Sequence, residues 1–175
     1  VEEPNLKDKL SRRERISLGE EGNYAYVATT EALENAKIDQ KYLDDHIVGI
    51  LYGNDSTAKS VMESVDKIRE KHDTTLVGSG AIFKAMNSTI TMNLATIVKL
   101  KGINFTISAA CASGSHAVGM AYLLIKNGLQ DCIICGGAQE INEIAMGSFD
   151  GLGVFSVNHN DPTKACRPFD RDRDG

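Results

Sequence analysis

Residues 103–114 read INFTISAACASG, and their pattern indicates the fold class. Its first half alternates apolar with more polar side chains, which is the period of a β-strand with one apolar face. Its second half is a run of small residues around Cys111, and an almost uncharged segment follows as far as Lys126. The pattern predicts a strand that turns directly into a helix. Because this helix is apolar nearly all the way round, we expect it to be buried on every side.

A second apolar run at residues 131–137 predicts another strand after the helix. A strand–turn–helix–strand unit implies parallel pairing, so the class is α/β with the helix between layers. Upstream, the periodicity predicts a buried strand at 47–53 and helices at 22–37, 57–71 and 83–100, the last ending at Gly102. No repeat or Pro-rich linker marks a boundary, and we expect a single domain over residues 1–175.

The composition limits the classes of partner. The chain has 19 Lys and Arg against 24 Asp and Glu, and this net charge of -5 argues against broad binding to nucleic acid or to a membrane surface. No apolar run reaches the roughly 18 residues of a membrane span, and the N-terminus lacks a signal pattern. We therefore expect a soluble, cytoplasmic protein.

The four cysteines are too few and too clustered for a disulfide scaffold, and free thiols in a reducing compartment fit them better. Cys132 and Cys135 form a C-x-x-C, but residues three apart on a strand point to opposite faces, and no second pair completes a zinc site. We interpret both as buried structural residues and Cys166 as a bystander. The sequence predicts no metal site.

Cys111 stands where the predicted strand turns into the helix. Backbone N–H groups and the helix dipole favour a thiolate at such a point, and small neighbours let a substrate carbonyl approach. Lowering a thiol pKa from about 8.5 to about 7 needs about 2 kcal/mol, whereas a helix terminus supplies about 0.3–1 kcal/mol. Position alone therefore leaves two interpretations open: a nucleophile with a further partner, and a small buried hydrophobic residue.

None of the four histidines is a convincing partner for Cys111. His116 follows five residues later on the same helix, which places it about 140° away around the helix axis. His46 and His72 lie in polar stretches and are most simply solvated.

Five segments resemble one enzyme family: residues 104–114, 126–131, 136–140, 149–153 and 167–175. In this order and spacing they are similar to the β-ketoacyl-acyl-carrier-protein synthases, condensing enzymes of the thiolase superfamily. The resemblance implies a thiolase-like fold, a mixed sheet with a buried helix, of which this chain forms roughly half of the layered αβαβα architecture. It also implies that the family's first strand and whole C-terminal half are missing, and with that half two catalytic histidines and a lysine.

The resemblance further implies that Cys111 takes an acyl group from acyl carrier protein or coenzyme A as a thioester. Its own backbone N–H would form half of the oxyanion hole, and the acyl-enzyme would condense with a malonyl thioester that loses CO2, without a cofactor. Phe149, Met86 and Ala110 would line the acyl pocket. For Phe149 and Met86, ordinary core packing is the alternative that residue type alone leaves open.

Two contact surfaces are implied in the same way. The strand at 103–109 corresponds to the one that pairs across the family's homodimer axis, and such pairing would cover an exposed strand edge. Arg12, Arg13 and Arg15 stand where the family carries basic residues that dock the acidic carrier protein. A solvated helix start is the alternative interpretation of these arginines.

Other functions stay open at this point. A non-catalytic partner subunit of the chain-length-factor type resembles the synthases but usually lacks the cysteine, and a degradative thiolase shares the fold but not the segment 167–175. Residues 53–56 read GNDS, where the usual fatty-acid enzymes are richer in glycine, so a specialised polyene or polyketide enzyme is a further alternative. We expect the 175 residues by themselves to have no turnover.

Overall fold

A computed structural model of the chain describes residues 2–175, and helices and strands follow one another in the order typical of an α/β protein. The described residues form two compact units, one as far as Ile141 and one over Asn142–Gly175. The first unit contains α1 (Arg12–Ser17), α2 (Glu20–Asn35), α3 (Gln40–Asp45), β1 (Val48–Gly53), α4 (Ala58–Lys71), α5 (Ala81–Lys84), α6 (Thr89–Val98), β2 (Asn104–Ile107), α7 (Ser113–Lys126) and β3 (Cys132–Gly137). The second contains α8 (Glu143–Gly151) and a 3-10 turn at Pro162–Lys164. Within the described residues, no helix combines the length and the apolar character needed to cross a bilayer. Whether residues 1–175 act as a single domain stays a prediction.

β1 is the central strand of a three-stranded sheet with the order β2–β1–β3. All of its residues are buried, which explains its unbroken apolar run, because a strand covered on both faces needs no polar alternation. Ile50 stands opposite Asn104 of β2 and Ile134 of β3, in parallel register on both sides. The predicted parallel pairing is confirmed. The antiparallel part of the predicted mixed sheet is not present among residues 2–175.

Helices cover both faces of this sheet. Neighbouring residues of β1 point to opposite sides, so Leu51 packs against Ala117 and Ala121 of α7. Ile50 packs on the other side, in a cluster that includes Leu94 of α6. The result is a helix–sheet–helix sandwich that places the start of α7 directly over the end of β1.

α7 is not buried on every side, contrary to the expectation from its sequence. Only Ser113, Ala117 and Ala121 of this helix are buried, and they face the sheet. The opposite side exposes large apolar side chains: Val118, Met120, Tyr122, Leu123 and Ile125. The helix is apolar all round as predicted, but the second layer that would cover it is not present among the described residues.

We expect this exposed face of α7 to make the isolated 175-residue chain self-associate, because contiguous apolar patches favour association. Leu123→Glu should weaken the association about tenfold, as measured by sedimentation velocity at micromolar concentration. Ile68→Glu on α4 is the matched control, since Ile68 is 40% exposed against 48% for Leu123. A wild-type chain that sediments as a clean monomer contradicts this prediction.

The prediction of one helix over residues 83–100 is wrong, because a turn separates α5 from α6. Side chains from the loop between β1 and α4 donate hydrogen bonds to backbone carbonyl groups of this turn. The Thr57 hydroxyl donates to the Ala85 C=O at 3.0 Å. The Asn54 amide donates to the Asn87 C=O, also at 3.0 Å. These carbonyls are therefore satisfied without a continuous helix.

In the second unit, the carboxylate of Asp174 connects its own segment with residues 156 and 157 through hydrogen bonds. It accepts hydrogen bonds from the Ser156 hydroxyl at 2.8 Å and from the Val157 N–H at 3.0 Å. Arg167 lies 3.3 Å from the same carboxylate. At the start of α8, the Asn142 side chain accepts from two N–H groups of the first helical turn and so caps the helix.

Candidate active site

Cys111 lies in the tight turn between β2 and α7. Ala110, just before it, has a φ of 48°, a left-handed conformation that residues with a Cβ seldom adopt. The Ala112 N–H donates to the Ala109 C=O at 3.1 Å. The Ser113 N–H donates to the Ala110 C=O at 3.0 Å. Backbone strain of this kind is concentrated at functional sites. Here the turn places Cys111 one residue before Ala112, the N-cap of α7.

The side chain of Ser113 holds this turn in place. Its hydroxyl accepts from the Ala109 N–H at 2.8 Å and donates to the Ala110 C=O at 2.7 Å. Ser113 is buried, so water does not compete for these bonds. Two residues earlier the thiol of Cys111 is exposed, which excludes the interpretation of Cys111 as a buried hydrophobic residue in this structure.

Glycines allow the start of α7 to approach the strand ends. A Cβ on Gly53, the last residue of β1, would lie 2.3 Å from the backbone carbonyl carbon of Ser113 and 2.4 Å from the Gly114 nitrogen. A Cβ on Gly137, the last residue of β3, would lie 3.0 Å from the Gly114 Cα. The backbone of α7 therefore sits directly on the ends of two strands.

We expect Gly53→Ala to destabilise the chain by about 3 kcal/mol, because the added methyl group meets only backbone atoms, which cannot rotate away. Gly119→Ala is the matched control in the same helix, where an added Cβ meets nothing within 4 Å. It should stabilise the chain by about 0.5–1 kcal/mol. Urea unfolding followed by circular dichroism measures both variants. Similar changes for the two would show that the approach at Gly53 is not tight.

A cavity of about 270 Å³ opens beside Cys111. It lies at the carboxyl ends of the parallel strands, where open α/β sheets bind their ligands. The loops after β1 and β3 and the turn before α7 supply its lining: Gly53, Asn54, Asp55, Ala110, Cys111, Ser113, Gly114, Gly137, Ala138 and Gln139. The nucleophile candidate is thus open to a small substrate group.

Sequence reasoning named Cys111 and Ala110 in this lining and related the segment 53–56 to the type of substrate, but it did not single out Asn54, Asp55 or Gln139 as site residues. Their position in the sequence could have identified these three residues, since each comes within two residues of the end of β1 or β3. The carboxyl ends of neighbouring parallel strands meet at one edge of the sheet, so residues directly after them are brought together there.

The other predicted acyl-pocket residues lie elsewhere in the chain. Met86 is in the turn between α5 and α6, is 37% exposed, and does not belong to the lining of this cavity. Phe149 is on α8 in the second unit, where its ring centroid is 6.2 Å from that of Phe155. Acyl-pocket roles for Met86 and Phe149 stay predictions.

The predicted docking arginines differ in accessibility. Arg12 and Arg13 are exposed at the start of α1. Arg15 is half-buried, and its Nε donates to the Leu10 C=O at 3.1 Å. Arg12 and Arg13 are therefore better placed than Arg15 to meet an acidic partner.

No histidine of the first unit lines the cavity. The ring of His46 stacks on Tyr42 with 4.0 Å between centroids. His72 caps the C-terminus of α4 in a left-handed conformation. His116 is exposed on α7, in the second turn of the helix. A histidine partner for Cys111 is therefore not supplied by the residues around this cavity.

Cys132 and Cys135 are half-buried on β3, and burial raises the pKa of both thiols. For Cys132 a hydrogen bond with the Tyr42 side chain acts in the opposite direction. A raised pKa keeps a thiol neutral and a poor nucleophile, which agrees with a structural role. Among the residues that the structure describes, no group of three His, Cys, Asp or Glu side chains is placed to hold a metal ion.

The sequence model of the β-ketoacyl synthase N-terminal domain matches residues 4–175. The chain belongs to the β-ketoacyl synthase family. This synthase chain is 37% identical to 3-oxoacyl-(acyl-carrier-protein) synthase 1 of Buchnera aphidicola subsp. Acyrthosiphon pisum and 32% identical to the Haemophilus influenzae protein of the same name. The alignments cover 97% and 98% of the synthase chain but only 42% and 43% of those relatives.

Solved structures agree with the fold of the synthase chain. A β-ketoacyl synthase from Burkholderia phymatum superposes with a TM-score of 0.84 and 31% identity, over all of this chain and 42% of that one. The ishigamide ketosynthase/chain length factor superposes with a TM-score of 0.79 over all of this chain and 46% of that one, at 20% identity, and this likeness concerns the fold alone. The predicted family and its thiolase-like α/β fold are confirmed.

Proposed function

We propose that the full-length protein containing this chain is a decarboxylative condensing enzyme, a 3-oxoacyl-acyl-carrier-protein synthase, with Cys111 as its nucleophile. The observation that carries the proposal is the exposed thiol of Cys111, held by a strained turn at the start of α7 and open to a cavity at the strand ends. Two relatives at 32% and 37% identity are 3-oxoacyl-(acyl-carrier-protein) synthases, which supports the same reaction.

The first step moves the acyl group to sulfur. The Cys111 thiolate attacks the carbonyl carbon of an acyl thioester, a new C–S bond forms, and the old C–S bond breaks as the carrier leaves and takes up a proton. Charge develops on the carbonyl oxygen during the attack. We infer that the Cys111 backbone N–H stabilises this oxyanion as half of the oxyanion hole, with the positive end of the α7 dipole adding to it.

The second step is the condensation. A malonyl thioester loses CO2, and the electron pair left on its α-carbon attacks the carbonyl of the acyl-cysteine, which releases the thiolate of Cys111. No histidine or lysine lines the cavity within residues 2–141. The groups that promote decarboxylation are therefore expected in the part of the relatives that this chain does not span. We infer that the 175 residues alone complete no turnover.

Acyl labelling of the full-length protein tests the proposal. Incubation with an isotopically labelled acyl-carrier-protein thioester should place one acyl group on the tryptic peptide that contains Cys111, and hydroxylamine should remove it. The exposed Cys166 is an internal control, because it should stay unlabelled. A label at Cys166, or no label at all, contradicts the proposal.

The same labelling separates the alternatives that the sequence leaves open. A non-catalytic subunit of the chain-length-factor type forms no acyl-enzyme. A specialised polyene or polyketide condensing enzyme forms one, with a preference for substrates that carry polar or unsaturated groups. Asn54 and Asp55 favour testing such substrates, because their polar side chains belong to the wall of the cavity.

We infer that Arg12 and Arg13 meet acyl carrier protein, whose acidic surface they would attract. Reversing both charges with Arg12→Glu and Arg13→Glu should raise the KM for acyl carrier protein about tenfold at low salt and leave kcat nearly unchanged. Lys67→Glu combined with Arg69→Glu, on the exposed side of α4, reverses the same charge as a control. Equal KM values for the two double variants would contradict this docking site.

We also infer that the full-length protein forms a homodimer through the strand at 103–109. In this structure β2 is an edge strand, and Phe105 on it is 53% exposed. A second copy would satisfy and cover this edge. Sedimentation equilibrium of the full-length protein tests the inference, and a monomer at micromolar concentration contradicts it. The cytoplasmic location stays a prediction.

A further inference from the structure

Glu140 is a buried carboxylate that caps a helix far away in the sequence. One of its oxygens accepts from the Ser56 hydroxyl and from the Ala58 N–H at 2.7 Å, and the other accepts from the Lys59 N–H at 3.1 Å. Ala58 and Lys59 are the first residues of α4, whose own N-cap residue, Thr57, makes no side-chain cap bond. Glu140, 2% exposed, therefore satisfies the helix N-terminus that a local residue usually caps.

The residues that directly precede Glu140 and its partner Ser56 line the Cys111 cavity. Ala138 and Gln139 precede Glu140 directly, and Asn54 and Asp55 precede Ser56 directly; all four line the cavity. The Glu140 bonds thus join the loop that leaves β1 to the loop that leaves β3. Both loops face the turn that carries the thiol.

Backbone bonds fix these loops only as far as the strand ends. The Ala138 N–H donates to the Gly53 C=O at 3.1 Å, and the Asn54 N–H donates to the Ile107 C=O at 3.1 Å. Beyond these points the sheet ladder stops. The Glu140 carboxylate is the next connection between the two loops, and its charge strengthens each bond that it accepts.

We propose that Glu140 is a positioning residue for the acyl-transfer reaction: its carboxylate holds the loop at 54–57 against the loop at 138–140 and so fixes two walls of the Cys111 cavity. The inference rests on the proposed function of Cys111. Glu140 acts through the loops and does not line the cavity itself. Its loss should disturb the orientation of the bound thioester more than the reactivity of the sulfur.

The test uses the full-length protein and compares two reactions of the same thiol. Glu140→Ala should lower the single-turnover rate of Cys111 acylation by an acyl-carrier-protein thioester about 10- to 100-fold per folded site, because small misplacements of reacting groups have effects of this size. Alkylation of Cys111 by iodoacetamide needs no bound thioester and should stay within about twofold, since it reports the thiolate alone. Circular dichroism of each variant gives the folded fraction by which both rates are normalised.

Asp39→Ala is the matched control for the loss of a helix cap. The Asp39 side chain accepts from the Tyr42 N–H at 2.8 Å at the start of α3, and Asp39 is not part of the cavity wall. This variant should lose thermal stability but keep its acylation rate per folded site. Glu140→Ala behaving in the same way would overturn the positioning role and leave only a structural one.

Ser56→Ala keeps the inference testable when Glu140→Ala fails to fold. It removes one of the bonds to Glu140 and leaves the two backbone amides of α4 capped. We expect a threefold to tenfold lower acylation rate, on the order expected for a partly loosened loop, with unchanged alkylation; unchanged acylation would overturn the inference. A wild-type protein that accepts no acyl group would instead overturn the proposed function, so the two failures are distinguishable.

Discussion

Replacing Cys111 with alanine in the full-length protein is expected to lower the rate of condensation by at least about 10³-fold, because the covalent route needs a nucleophile at this position. The two other thiols of the first unit are poor substitutes for it. Cys132 and Cys135 are half-buried on the neighbouring strand, with a pKa raised by burial, and they do not line the cavity. Condensation of the variant is measured with labelled malonyl thioester at saturating acyl-carrier substrate.

Cys166→Ala is the matched control, because Cys166 is the other exposed cysteine of the chain. It should keep the condensation rate and the acyl label of the wild type. Circular dichroism should show the same fold for both variants, since an exposed thiol contributes little to packing. Normal condensation by Cys111→Ala would exclude the covalent mechanism, whatever the fold of the protein.

The strand, turn and helix around Cys111 were predictable from sequence because each depends on near neighbours. The alternation before Ser108, the small residues of the turn and the uncharged helix are patterns within about 20 residues of one another. The bonds that close the turn are equally local, since the Ser113 hydroxyl reaches only back to Ala109 and Ala110. Local patterns of this kind determine the place of the candidate nucleophile.

The break between α5 and α6 was not predictable, because its cause is not local. The Ala85 carbonyl accepts a hydrogen bond from a side chain 28 residues away. The Asn87 carbonyl accepts one from a side chain 33 residues away. The role of Glu140 is hidden in the same way, since its hydrogen-bond partners lie 81 to 84 residues before it. No periodicity in one segment reports which distant segment supplies a hydrogen-bond partner.

The burial of α7 shows a different limit of prediction from sequence. An apolar helix implies burial, but the pattern does not say which element provides it. Here Ala117 and Ala121 pack on the sheet, whereas Tyr122 and Leu123 on the other side are exposed. The relatives are more than twice as long as this chain, which spans 42% and 43% of them. An expectation about complete burial therefore concerns the full-length protein.

Glu21→Gln is expected to remove most of the pH dependence of the stability of this chain between pH 4.5 and 8. Glu21 is 2% exposed, and its Oε1 has no hydrogen-bond partner among the described residues. Burial, opposed by a backbone hydrogen bond, raises the pKa of Glu21 from 4.5 to about 7, with smaller contributions from the negative charges of Glu140 and Glu20. Lys84 acts in the opposite direction, more weakly.

The sign of the effect follows from the two pKa values. Between pH 4.5, the ordinary value, and about 7, folded Glu21 keeps a proton that the unfolded chain has released. The free energy of unfolding therefore falls as the pH rises through this window, by about 3 kcal/mol in total, and it stays at the lower level above pH 7. Glutamine cannot ionise, so the variant lacks this fall. Any loss of unfolding free energy caused by burying the glutamine amide is the same at every pH.

Urea unfolding at pH 5, 6, 7 and 8, at one protein concentration, measures the difference between the variant and the wild type. This difference should grow by about 2.5 kcal/mol in favour of Glu21→Gln across the series, since part of the fall already lies below pH 5. Glu31→Gln removes the same charge from the exposed side of α2 and should leave the wild-type slope in place. Parallel curves for wild type and Glu21→Gln would mean that the carboxyl group opens to water and ionises at its ordinary pKa. Burial would then be wrong as the cause of the raised pKa.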